Sequence, residues 1–153
     1  RNPHQKIRVG YVSPDFRNHS ATKVFLPIFQ YHNRNKFEVY GYSNVLQPDF
    51  LTEQFQSLAD KWCPIKDLTD DEVIEQIRQD EIDILVDLSG HTSGHRLGVF
   101  ARHPAQMQIT GLSFDCTTGL NAMDYRFCDP YVTPPHWARY NCEKLLYLSN
   151  FLI

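Results

Sequence analysis

Residues 7–12 (IRVGYV) alternate and carry β-branched side chains, so they predict a strand. Residues 13–20 break the pattern with Ser, Pro, Asp and Asn, the chemistry of a loop. Apolar positions 24, 25, 28 and 29 suit a helix over 24–31, with Pro27 near its first turns. Residues 37–42 alternate again and predict a second strand. Phe50, Leu51, Phe55 and Leu58 have helical spacing, and residues 61–65 form a short strand candidate. The clearest helix covers 69–79. Thr69 and Glu72 form a capping box, Asp70, Asp71 and Glu72 fill the first turn, and Val73, Ile74 and Ile77 make the apolar stripe. Residues 82–88 are almost continuously apolar, the signature of a parallel strand covered on both faces. A loop at 89–94, a short helix at 95–102, and strands at 107–112, 124–127 and 145–148 complete the reading. The Pro-rich stretch 129–135 reads as a connection.

Strands alternating with helices define an α/β domain with a mainly parallel, Rossmann-like sheet. Right-handed crossovers place helices on both faces. Ligands in such sheets bind beyond the carboxyl ends of the strands. The loops after the first and central strands, residues 13–20 and 89–94, fall there, and residues 111–119 form a third loop at the sheet edge.

The 153 residues fit one domain, and 42% apolar and 22% charged residues are ordinary for a globular chain. The net charge of −3, with no basic stripe, argues against general nucleic-acid binding. No apolar run approaches the ~18 residues of a membrane span, and no signal-peptide core opens the chain. The four cysteines, Cys63, Cys116, Cys128 and Cys142, match no zinc spacing and read as reduced thiols, a disulfide between two of them being the alternative. The chain opens on Arg1 and closes on the apolar run Phe151-Leu152-Ile153, as expected of a piece of a longer protein.

Candidate chemistry concentrates in the loops. Asp15 and His19 stand four residues apart. They are either a proton-handling pair, with a carboxylate or imidazole serving as base, or a helix cap beside a surface histidine. His91 and His95 share that spacing, but no third ligand or intervening Glu supports a metal site. Thr92 and Ser93 either donate to a phosphate or sugar or cap the next helix. Trp62 and Trp137 read as core or rim packing. No Gly-rich dinucleotide or ATP fingerprint is present, which disfavours an NAD-type enzyme.

Several collinear motifs carry a family resemblance. Arg8-Val9-Gly10-Tyr11-Val12-Ser13-Pro14-Asp15-Phe16 followed by His19, Asp83 through Thr92, Phe100 through Gln108, Thr117-Thr118-Gly119-Leu120 and Met123-Asp124-Tyr125 resemble the catalytic region of protein O-GlcNAc transferases and their SPINDLY-like relatives. The resemblance implies that residues 6–153 are the N-terminal Rossmann-like lobe of a two-lobe GT-B glycosyltransferase. The second lobe, which holds most of the UDP-sugar, and the tetratricopeptide repeats would lie outside this chain, and the chain alone would be inactive. It implies inverting transfer of a sugar, expected to be GlcNAc from UDP-GlcNAc, to Ser or Thr hydroxyls of proteins. Neither metal nor cofactor, membrane nor nucleic acid would take part, and the setting would be cytoplasmic.

By the same resemblance, Asp15 matches the active-site Asp that accepts a proton directly or through water. His19 matches the active-site His near donor phosphate and acceptor hydroxyl. His91 and Thr92 fall in the loop after the central strand, and Leu112 lines the sugar pocket. The family's Trp-Leu-Gly-Tyr-Pro-Gly turn reads Gly111-Leu112-Ser113-Phe114-Asp115-Cys116 here. Ser113 and Asp115 would therefore reshape the sugar pocket, and the Asp115 carboxylate would either repel a diphosphate or change the donor sugar. The alternative function is a degenerate acceptor- or sugar-binding module without turnover.

Overall fold

The computed structural model describes residues 5–149; residues 1–4 and 150–153, including the run Phe151-Leu152-Ile153, lie outside it. The first half runs β1 (Ile7–Ser13), α1 (Thr22–Tyr31), β2 (Phe37–Ser43), α2 (Phe50–Leu58), β3 (Lys61–Pro64) and α3 (Asp70–Gln79). The second half runs β4 (Ile84–Asp87), α4 (Leu97–Ala101), β5 (Met107–Thr110), β6 (Tyr125–Cys128), a 3-10 helix (Pro135–Tyr140) and β7 (Lys144–Tyr147). The seven strands form one sheet in the order β3-β2-β1-β4-β5-β6-β7. Every pairing is parallel.

Alternation along each strand divides the core in two. Val9, Tyr11, Val39 and Val86 face one cluster with Phe25 and Phe29 of α1 and Phe55 of α2. Val12, Tyr42 and Leu85 face the other, with Val73, Ile74 and Ile77 of α3 and Val99 and Phe100 of α4. Helices thus cover both faces, which is why the central strands read as apolar runs.

Local signals explain the helix starts. Thr69 Oγ1 accepts from Glu72 N–H, and Glu72 accepts from Thr69 N–H at 2.8 Å, closing the expected capping box. A second box, formed by Asp49 and Thr52, starts α2. Helix α1 begins two residues earlier than its apolar positions predict, so Pro27 lies inside it and offers no N–H to the preceding turn.

Three further differences from the sequence reading fall in the second half of the chain. Strand β5 stops at Thr110 instead of 112, because Gly111 (φ 138°) and Leu112 (φ 72°) leave extended backbone. Helix α4 covers only Leu97–Ala101, with His95 and Arg96 before it. The Pro-rich connection runs into the 3-10 helix, which the sequence reading did not foresee.

Candidate active site

The strand order reverses between β1 and β4, and the loops following these two strands open side by side at the carboxyl end of the sheet. They border a cleft of about 410 Å³, lined by Asp15, Arg17, His19, Thr92, Leu112 and Ser113, with Ser20, Ala21, Val24 and Ser93.

The β1 loop is fixed on both sides of Asp15. Before it, Ser13 Oγ accepts from the Asp15 N–H at 2.9 Å. After it, Phe16 is fully buried, packed against Phe29, Phe55 and Trp62 with ring centroids 5.0–5.4 Å apart. Asp49 Oδ2 then accepts from the Asn18 N–H at 2.7 Å, tying the loop to the start of α2. Asp15 is therefore a well-ordered carboxylate: its side chain is 10% exposed and faces the cleft.

Two cationic or potentially cationic groups address one oxygen of Asp15. Arg17 Nη2 donates to Oδ1 at 3.2 Å, and His19 Nε2 lies 3.9 Å from the same atom. His19 Nδ1 accepts from the Ala21 N–H at 3.2 Å. That bond places the proton of a neutral ring on Nε2, facing the carboxylate. In this pose His19 offers a donor, and Asp15 is the group with lone pairs free to accept a proton.

The β4 loop hangs from Asp87, which is buried at the end of β4. Its oxygens accept from Ser89 N–H (3.1 Å), Gly90 N–H (2.9 Å) and Thr110 Oγ1 (2.7 Å), joining the loops after β4 and β5. Burial pushes the Asp87 carboxyl up, against the pull of those hydrogen bonds and of His95. Gly90 has φ 57°, and a Cβ there would press on Phe114 at 2.9 Å, so glycine is required. Thr92 lines the cleft with its hydroxyl donated to Ser89 O at 2.8 Å, which leaves oxygen lone pairs as acceptors. Neither Thr92 nor Ser93 caps α4, whose N-cap is Arg96 with no side-chain hydrogen bond. Asp15 likewise caps nothing: the N-cap of α1 is Ala21, with no side-chain cap hydrogen bond.

Leu112 lines the cleft at φ 72°, a conformation that costs a non-glycine residue of order 1–3 kcal/mol. The rest of its loop is held by Glu143. The Glu143 carboxylate accepts from Thr117 Oγ1 and from the N–H and hydroxyl of Thr118. Burial alone would push this carboxyl up, but the hydrogen bonds outweigh it and hold it below the usual carboxylate range.

The cleft thus gathers Asp15, His19, Thr92, Leu112 and Ser113. It does not include two further residues expected there. His91 is turned away, with Nε2 3.3 Å from Thr117 O and its ring against Phe114 and His95. Asp115 lines a separate cavity, together with Cys116 and Thr117. Its carboxylate does not line the cleft, contrary to the expectation that it borders the sugar pocket. Arg17 and Asp87 were missed by sequence reasoning. The signal for Arg17 was a cation two residues from the candidate carboxylate; that for Asp87 was an acid closing a buried strand. Among the described residues, no group of three or more His, Cys, Asp or Glu is arranged to hold a metal ion, and no helix is long and apolar enough to cross a membrane.

An all-parallel Rossmann-like sheet with a polar cleft at its switch point defines a ligand-binding α/β domain, with a carboxylate and an imidazole at the mouth. The family model for glycosyl transferase family 41 matches residues 1–153. The chain belongs to that family. It is 35% identical over 154 residues to a protein of Arabidopsis thaliana named probable UDP-N-acetylglucosamine–peptide N-acetylglucosaminyltransferase SPINDLY, a match covering 98% of the chain and 17% of that protein. The corresponding Arabidopsis protein named SEC is 36% identical over 149 residues, 95% of this chain and 15% of its own. Among solved structures, an O-GlcNAc transferase mutant of Thermobaculum terrenum superposes with a TM-score of 0.94 at 44% identity, covering 99% of this chain and 29% of the other. The chain therefore spans only a small part of the length of these relatives.

Proposed function

We propose that this domain is the acceptor-activating half of an inverting, GT-B type protein O-glycosyltransferase, transferring N-acetylglucosamine from UDP-GlcNAc to Ser or Thr hydroxyls. The observation carrying this reading is the pairing of Asp15 and His19 at the mouth of the switch-point cleft. The relatives are named for this reaction. The acceptor oxygen attacks the anomeric carbon, the bond to the diphosphate breaks, and its electron pair leaves on the phosphate oxygen. The hydroxyl proton passes to Asp15, directly or through one water. His19, donating from Nε2, orients the acceptor oxygen or the departing phosphate. Arg17 holds the carboxylate in place. Leu112 and Ser113 bound the sugar. A second lobe outside this chain holds most of the nucleotide, and no metal or cofactor takes part. Four free thiols support a reducing, cytoplasmic setting.

The test is transfer of labelled sugar by the full protein from a panel of nucleotide sugars to acceptor peptides. Transfer from UDP-GlcNAc, lost in Asp15→Ala and His19→Ala, is the expected result. Acceptor binding with no transfer from any donor would overturn it in favour of a binding module.

A further inference from the structure

Asp87 anchors the loop after β4 at its near end, through Ser89 and Gly90. The far end is held by a third loop. Asn44 follows β2, and its N–H donates to Ser13 O at 2.9 Å, which carries the β1–β2 pairing one step past Ser13 and Ser43. Its side-chain Nδ2 donates to Gly94 O at 2.7 Å. One residue is thus bonded both to the strand end two positions before Asp15 and to the loop that supplies Thr92 and Ser93 to the cleft.

Arg96 sets the direction of the Asn44 amide. This guanidinium, 13% exposed, donates from Nη2 to Leu68 O at 2.7 Å, and its Nε lies 3.0 Å from Asp70 Oδ1. Nη1 donates to Asn44 Oδ1 at 3.4 Å. With the amide reversed, an NH2 would face the guanidinium and an oxygen would face the Gly94 carbonyl. Only the observed direction pairs donors with acceptors. Gly94 is in turn seated on the β1 loop. It has φ 80°, and a Cβ there would lie 2.8 Å from Pro14 Cβ, so glycine is required and its backbone abuts the residue just before Asp15. Asn44 itself stands outside the cleft, on the adjoining space that Asp15 and Arg17 also border.

We propose that Asn44 is a positioning residue for the transfer reaction: it clasps Gly94 against Pro14 and so fixes Asp15 relative to the Thr92 and Ser93 wall of the cleft. The inference rests on the transferase reading and adds to it a residue from a third loop. The site is sensitive to such support, since a misplacement of about 1 Å at a reacting group can cost on the order of 10²-fold in rate.

The test is steady-state transfer by the full protein carrying Asn44→Ala, Asn44→Asp, Asp15→Asn, or Asp15→Asn with Asn44→Ala, together with thermal melting of each. Asn44→Ala is expected to lower kcat by about 10–10²-fold. KM for UDP-GlcNAc and for the acceptor peptide stays within about twofold, because no ground-state contact is removed. The melting temperature falls by no more than about 4 °C. Asn44→Asp keeps the shape and the acceptor for Arg96 but sets a carboxylate oxygen against Gly94 O, so kcat falls at least as far; it decides the matter if Asn44→Ala does not fold. In the Asp15→Asn background, Asn44→Ala removes less than about threefold more, as expected when one residue acts through the other. Unchanged kcat in both Asn44 variants would overturn the proposal. So would a loss carried by acceptor KM, an equal loss with and without Asp15, or a collapsed melting transition in both variants. A wild type that transfers from no nucleotide sugar would instead sink the transferase reading, and this inference with it.

Discussion

The two ends of the sheet use the same side chain in opposite ways. At the amino end, an aspartate just before a strand repeatedly accepts from the backbone of the next strand over. Asp83 takes the Arg8 N–H at 2.8 Å, Asp60 the Val39 N–H at 2.7 Å, and Asp124 the Gln108 N–H at 2.8 Å. These carboxylates complete the ladder where it would otherwise end on unpaired donors. At the carboxyl end, Asp87 does similar work for the loop after β4, but Asp15 does not. Its hydrogen-bond partner is the half-exposed Arg17, and it faces a cleft. Cavity size does not separate the ends, since a second space of about 580 Å³ adjoins Asp15 and Arg17 at the carboxyl end. A larger space, about 590 Å³, lies near the amino end beside Ile77, Arg78 and Asp83, but its Asp83 is engaged with backbone. An aspartate becomes available for chemistry when the fold orders it without using up its lone pairs.

Substitutions separate the two classes. The largest effect is expected for Asp15→Asn in the full protein: transfer falls by about 10²–10⁴-fold, the range of a lost general base, while the melting temperature stays unchanged. Asp87→Asn reverses the pattern. It places an amide N–H where two donors now find an acceptor, and costs about 1–3 kcal/mol in urea unfolding, with transfer reduced only because the Ser89–Gly94 loop loosens. Glu143→Gln sharpens the comparison through pH. The native Glu143 carboxyl lies below its unfolded value, so its contribution is present above about pH 4.3 and is lost as pH falls through the native value. The variant is therefore less stable than the wild type at pH 7, and the gap closes in acid; unfolding curves at several pH values measure this. Asp83→Asn gives the smallest change: an amide oxygen still accepts from Arg8 N–H, and transfer stays within about twofold.

Much of this was legible in the chain. Periodicity located the strands and α-helices of the alternating fold, though not the 3-10 helix, because burial on two faces writes apolar runs for central strands and three-to-four spacing for α3. Asp15 and His19 were legible because the loop after a first strand is where an α/β sheet places ligands. What escaped was backbone direction inside loops. The run Met107 to Leu112 reads as one strand, and nothing in it announces that Leu112 takes φ 72°. Beyond it, Ser113 and Asp115, two positions apart in sequence, line different cavities in space. Asp87 escaped because an acid inside an apolar run looks like part of the strand. Its three donors come from three residues, one of them 23 positions away.

The most direct test of Asp15 as the proton acceptor is a structure of the full protein with UDP and an acceptor peptide bound. The acceptor Ser or Thr Oγ is expected about 2.6–3.2 Å from an Asp15 carboxylate oxygen, or one ordered water away. An acceptor hydroxyl seated out of reach of Asp15, with no water between them and another base in contact, would contradict the role assigned to this residue.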